Sequence, residues 1–156
     1  MTRSALLEKI DAAIKQSVSD TLEKLVFMEV TETEEEVEFT SAPLTAVLAL
    51  HEPYRGEIRV TFPRDLLAKM AETLFWLPEQ GVTDRILKDV LAELLNTVAG
   101  RFLDSFLPQQ QKFRIGLPEL AGPDVSTAPS LGRWHFRTGE DHFMVALGQF
   151  SPQHQV

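Results

Sequence analysis

The stretch TDRILKDVLAELLNTVAGRFLDSFL, residues 83–107, decides how this chain is read. Wound at about 100° per residue, it places Leu87, Leu91, Leu94, Leu95, Val98, Phe102 and Phe106 on one face, the stripe of a helix packed on a core. Thr83 stands as its cap and Leu107-Pro108 as its end. The opposite face carries Asp89, Glu93, Asn96 and Gly100 in one narrow line. Three of them have a bland explanation. Asn96 is an exposed residue without a role, Gly100 marks a close crossing with a neighbouring element, and Asp89 offsets the helix dipole in the N-terminal half. Against that, Asn is about 0.7 kcal/mol and Gly about 1 kcal/mol worse than Ala inside a helix. Both disfavoured residues share their line with Glu93. Broken local rules gathered on one outward face are what functional surfaces show.

Outward from this helix, the rest of the chain alternates helices and strands. Leu6, Ile10, Ala13, Ile14, Val18, Leu22 and Leu25 recur at helical steps over residues 4 to about 27, with Ser4 as the expected cap. Residues 30–40 read as an edge strand whose glutamates keep its outer side charged. LTAVLALH and GEIRVTFP flank Glu52-Pro53-Tyr54-Arg55-Gly56, a hairpin with that segment as its turn. RDLLAKMAETLFW (64–76) reads as a helix and WLPEQGV (76–82) as a loop. KFRIGLPEL is a strand broken at Pro118, and AGPDVSTAPSLG is a loop. GRWHFR and DHFMVALGQF form a second hairpin about Thr138-Gly139-Glu140, and SPQHQV (151–156) is expected to fray. DTLEKLVF (20–27) aligns with DVLAELLN (89–96), so the chain reads as one unit written twice, with halves at about 4–76 and 83–150 of a single domain. In the first half Lys24 stands where Glu93 stands, and Phe27 where Asn96 stands.

Composition narrows the function classes. The chain has 156 residues, enough for one domain with a real core, and 44% of them are hydrophobic. With no cysteine there are no disulfides and no thiolate metal sites, which fits a reducing cytoplasm. The N-terminus breaks its apolar residues with charges, unlike a signal peptide, and no apolar run reaches the ~18 residues a membrane span needs. A formal charge of −8 argues against nucleic acid as a partner. The acidic run at Glu32, Glu34, Glu35, Glu36 and Glu38 reads as a solvated surface. His51, His135, His142 and His154 do not cluster at metal-ligand spacing, and no serine has a nucleophile-elbow context. No glycine-rich phosphate loop is present. Trp76 and Trp134 read as core or interface anchors. Glu93 alone, with no second acid, histidine or metal ligand beside it, is a poor catalytic set.

At DVLAELLNTVAG the chain resembles the CheC/CheX/FliY family of response-regulator phosphatases, and CheX most. The family signature is Ser or Asp, three residues, Glu, two residues, Asn. Asp89, Glu93 and Asn96 fill it here, and Asn96 with Gly100 matches the trailing Asn-x-x-x-Gly. The hairpin LALHEPYRGEIRVTFP followed by a helix is similar to the family's first half, and the similarity spans roughly residues 4 to 150. The resemblance implies a layered α/β (α+β) fold, an antiparallel-rich sheet against long helices with internal pseudo-duplication. It implies a homodimer with one site per chain, since Lys24 and Phe27 replace the second pair. It implies a phosphatase acting on the aspartyl phosphate of a CheY-like receiver. That partner holds its own Mg²⁺ and lysine, so the chain needs no cofactor. Asn96 is then expected to orient the attacking water and Glu93 to pair with the receiver's lysine. Gly100 and Asp89 would let the partner's loops approach. The alternatives are a non-enzymatic adaptor, binding a receiver or a flagellar or signalling complex, and a purely structural dimerisation domain.

Overall fold

The structure, a computed structural model, describes residues 2–35, 39, 42–78, 81–121 and 130–153. In chain order the elements are α1 (Arg3–Val26), β1 (Thr31–Thr33), β2 (Leu44–Glu52), β3 (Tyr54–Phe62), α2 (Arg64–Leu74), α3 (Asp84–Phe106), β4 (Arg114–Ile115), β5 (Glu119–Ala121), β6 (Ser130–Thr138) and β7 (Asp141–Pro152). The strands form one antiparallel sheet in the order β1-β6-β7-β3-β2-β4, with β5 also on β2.

Alternation along the strands sets the faces. Ala46, Leu48 and Leu50 of β2 and Ile58, Val60 and Phe62 of β3 are buried on one side. Phe143, Val145 and Leu147 of β7 and Trp134 and Phe136 of β6 join them. α1 and α3 pack together over that face, with Ile14, Val18 and Leu22 from one helix and Leu91, Leu94, Leu95 and Phe102 from the other sealed inside. Each such side chain contributes about 1.5–3 kcal/mol by leaving water.

Five contacts fix the direction of the helices. α3 starts beside α2, where Arg64 pairs with Asp84, and ends where Phe106 meets Tyr54 edge-on with ring centroids 5.3 Å apart. α1 runs the other way. Lys9 near its start lies 4.7 Å over the Phe106 ring, Asp11 accepts a hydrogen bond from the Trp134 indole at 2.8 Å, and Lys15 reaches Glu32 of β1 at 2.8 Å. The two long helices are therefore antiparallel neighbours in one layer.

The two halves repeat the succession helix, short strand, hairpin. Each half's short strand pairs with the hairpin of the other half, β1 on β6 and β4 and β5 on β2, while β3 and β7 join at the centre.

Several boundaries differ from the sequence expectation. The cap of α1 is Thr2, whose hydroxyl accepts from the Ala5 N–H at 3.1 Å; Ser4 is already inside the helix. Either residue type caps well, so composition cannot choose between neighbours. The first hairpin turns at Pro53, and Tyr54, Arg55 and Gly56 already pair with β7. Gly56 is required by a bulge and not by a turn: a Cβ there would lie 1.9 Å from the Gln149 carbonyl oxygen. β6 begins at Ser130, inside the expected loop, and Ser151 and Pro152 of the expected frayed tail pair with Arg55 and Tyr54. The strand expected over 30–40 is β1 at the sheet edge, three residues long among those described. Residues 36–38, 40–41, 79–80, 122–129 and 154–156 lie outside the described residues, and with them part of that strand, of the loops expected at 76–82 and 121–132, and of the tail.

Candidate functional site on the outward face of α3

The cap expected at Thr83 is in place, its hydroxyl accepting from the Ile86 N–H at 3.3 Å. From there the helix runs unbroken to Phe106. Every residue of the expected apolar stripe is buried, and Val90, Ala99 and Leu103 are buried with it. Since 3.6 residues make a turn, burying that stripe forces the opposite line outward. Asp89, Glu93 and Asn96 are exposed and Gly100 is half-buried. Asp104, one turn beyond Gly100, extends the line and is also exposed. The same four-residue step that links Asp89 to Glu93 carries the signal for it.

The polar groups on this line are unused within the chain. Among the described residues, neither Asp89 nor Glu93 makes an ion pair, and the Asn96 carboxamide makes no hydrogen bond. Thr97 donates its hydroxyl to the Glu93 backbone carbonyl at 2.8 Å, which leaves the Glu93 carboxylate untouched. A carboxylate offering up to four acceptor positions and a carboxamide able to donate and accept thus project together from adjacent turns.

Gly100 is not a close crossing. A Cβ built there meets nothing within 4 Å. The helix gives up about 1 kcal/mol relative to Ala at this position, with no contact among the described residues to explain it. A glycine in open space leaves room for something outside the molecule to approach the backbone.

The first-half counterpart is built differently. α1 ends at Val26, and Phe27 adopts a left-handed conformation (φ 57°) from which Met28 N–H bonds back to the Leu22 carbonyl at 3.2 Å. Position 27 therefore stands off the helix, out of line with Lys24. Mid-helix polar groups on α1 engage one another: the Gln16 amide donates to Asp20 at 2.9 Å, and Lys15 sits between Asp11 and Glu32. Burial pushes the Asp11 carboxyl upward, but hydrogen bonds from Lys15 and Trp134 and the Lys15 charge outweigh it and hold the group below its usual range. Hydrogen bonds to Asp11 and then to Glu32 raise Lys15. Of the two tryptophans, Trp134 is a core anchor, whereas Trp76 is 92% exposed.

Among the described residues, no three His, Asp or Glu side chains stand close enough to hold a metal ion. No described helix is long and apolar enough to cross a membrane.

Two antiparallel helices on one face of a pseudo-symmetric antiparallel sheet, with a Glu-x-x-Asn pair facing outward, define a protein of the CheC/CheX class. The sequence model of the family described as Chemotaxis phosphatase CheX matches residues 44–128, more than half of the chain and all of the α3 line up to Asp104. The chain belongs to the CheX family. Solved structures agree on the fold. It is similar to the chemotaxis protein CheX from Vibrio vulnificus (13% identity, TM-score 0.71, covering 91% of this chain and 96% of that one). It is also similar to CheX from Desulfovibrio desulfuricans (17% identity, TM-score 0.69, covering 88% and 97%). A third similar structure is the CheX-CheY-BeF3-Mg+2 complex from Borrelia burgdorferi (14% identity, TM-score 0.65, covering 90% and 97%). None of the curated protein sequences matches the chain.

Proposed function

We propose that this protein accelerates hydrolysis of the aspartyl phosphate of a CheY-like receiver domain, and that Asn96 and Glu93 are the residues that do so. The observation that carries the reading is the α3 line itself: an outward carboxylate and carboxamide with no partner among the described residues, beside a glycine at which an added Cβ would meet nothing, inside the stretch that matches the family. The receiver would bring the phosphoryl group, its Mg²⁺ and its own lysine. That Mg²⁺ sits on the partner is in keeping with the composition of the Borrelia burgdorferi complex. This chain would supply geometry.

Asn96 enters the receiver's pocket. Its carboxamide oxygen accepts a hydrogen bond from a water and aligns it for in-line attack on phosphorus. Being neutral, the amide does not repel the phosphoryl oxygens. The bond from water oxygen to phosphorus forms as the bond from phosphorus to the aspartyl oxygen breaks, releasing inorganic phosphate and a free aspartate. Glu93 pairs with the receiver's lysine and holds the helix in register. Asp89 and Gly100 border the contact, Gly100 leaving space for a loop of the partner. Positioning and electrostatics suffice for such a transfer; a hundredfold acceleration corresponds to about 2.7 kcal/mol. The reading carries with it action in the cytoplasm and a homodimer of single-domain chains, each with one site.

The test is release of inorganic phosphate from a phosphorylated CheY-like receiver, with this protein well below stoichiometric amounts. Turnover above the receiver's own rate is expected. Binding without acceleration would make the chain an adaptor, and absence of binding would leave it a structural domain.

A further inference from the structure

Two exposed aromatics adopt a left-handed conformation just past a helix, Trp76 (φ 55°) after α2 and Phe27 after α1, and of these it is Phe27 that occupies the place aligned with Asn96. Phe27 is 80% exposed and held at φ 57°, a conformation that suits Gly or Asn and strains an L side chain as bulky as phenylalanine. An aromatic ring in water at a strained position does nothing for this fold, and a smaller polar residue would close the helix better. Its place is informative. Lys9 lies over Phe106, and α1 and α3 are antiparallel. Counting equal steps up α1 from Lys9 and back along α3 from Phe106, at ~1.5 Å per residue, brings Phe27 about level with Lys88, beside Asp89. Asn96 lies roughly 12 Å further along. Both helices belong to one layer, so Phe27 and the α3 line border the same side of the molecule. A partner interface is some 800 Å² on each side, wide enough to reach from one to the other.

We infer that Phe27 is an apolar anchor for the receiver that docks on α3. The position that would have carried the second asparagine has become part of the binding surface of the remaining site. The inference rests on the receiver-phosphatase reading and adds a contact that the Glu-x-x-Asn pair does not supply. Polar side chains alone hold a partner weakly against water. A buried aromatic beside them concentrates binding energy, as interface hot spots do.

Phe27→Asn tests this without endangering the fold, because asparagine tolerates the left-handed conformation. Two readouts are used: steady-state dephosphorylation of a phosphorylated CheY-like receiver, and direct binding of the same receiver loaded with Mg²⁺ and beryllofluoride. The expected result is a rise of about tenfold in KM and in Kd, with kcat unchanged and a thermal midpoint equal to or above that of the wild type. Phe27→Tyr should restore KM. An unchanged KM and Kd, or a fall in kcat alone, overturns the inference while leaving the phosphatase reading intact. A loss of self-association with unchanged KM reassigns Phe27 to contact between copies and overturns it as well. If the wild-type chain neither binds nor turns over the receiver, the phosphatase reading fails first and takes this inference with it.

Discussion

α1 and α3 do the same structural work and face solvent in opposite ways. Both are long, antiparallel and sealed on the sheet along one stripe. Along the middle of α1 the outward polar groups close upon each other and on the sheet, through Gln16 with Asp20, Lys15 with Asp11 and Glu32, and Asp11 with Trp134, while Glu8, Glu23 and Lys24 nearer its ends make no such contact among the described residues. On α3 the Glu93 carboxylate and the Asn96 carboxamide have no partner among the described residues, and a costly glycine completes the line. Packing explains both buried faces. Internal contacts also account for the middle of the outward face of α1, whereas the Asp89-Glu93-Asn96 line of α3 has none among the described residues. Matched helices in one molecule thus act as control and test.

The comparison can be broken at its strongest point first. Leu94 is fully buried on the face opposite Asn96. Leu94→Ala should cost about 2–5 kcal/mol in urea-unfolding experiments. A cost similar to that of an outward substitution on α3 would mean that the two faces are not what they are described to be.

Gly100→Ala sharpens the contrast. The added methyl meets nothing, so the helix should gain about 1 kcal/mol in stability, while KM for the phosphorylated receiver rises. A destabilised variant would reveal an internal reason for the glycine and remove one support of the site.

The smallest effect belongs to α1. Asp11→Asn keeps an acceptor for the Trp134 indole and removes the charge. The Asp11 carboxyl is held below its ordinary value of 3.8, so its contribution is present above that pH and is lost as pH falls through the lower folded value. The wild type should therefore exceed the variant slightly at pH 7, and the gap should close as the pH falls below the ordinary carboxylate range. A gap that widens on acidification would contradict the assigned network. Receiver dephosphorylation should be the same in both.

Much of this contrast was legible in the chain. The period of Leu87, Leu91, Leu94, Leu95, Val98 and Phe102 specified which way α3 must lie, and so which residues must point outward. Both hairpins could be read from alternation and turn residues. What could not be read depended on contacts distant in sequence. Gly56 looked like a turn glycine because nothing local reveals that Gln149 passes within contact distance. Gly100 looked equally suited to a helix crossing, and only the absence of any neighbour separates the two readings. Ser151 and Pro152 belong to β7 because β3 begins at Tyr54 and offers them partners. Phe27 falls one residue past the last helical position, so its mismatch with Asn96 is one of backbone as well as side chain. The alignment of 20–27 with 89–96 exposed the second mismatch and not the first.

The most direct test of the central claim is the single-turnover rate of receiver dephosphorylation at saturating protein, wild type against Asn96→Ala, with thermal unfolding of both followed in parallel. Because Asn96 is exposed and makes no hydrogen bond within the described chain, the account predicts a rate lower by about a hundredfold, close to the receiver's own, with the fold unchanged. An Asn96→Ala protein that retains the wild-type rate would contradict it.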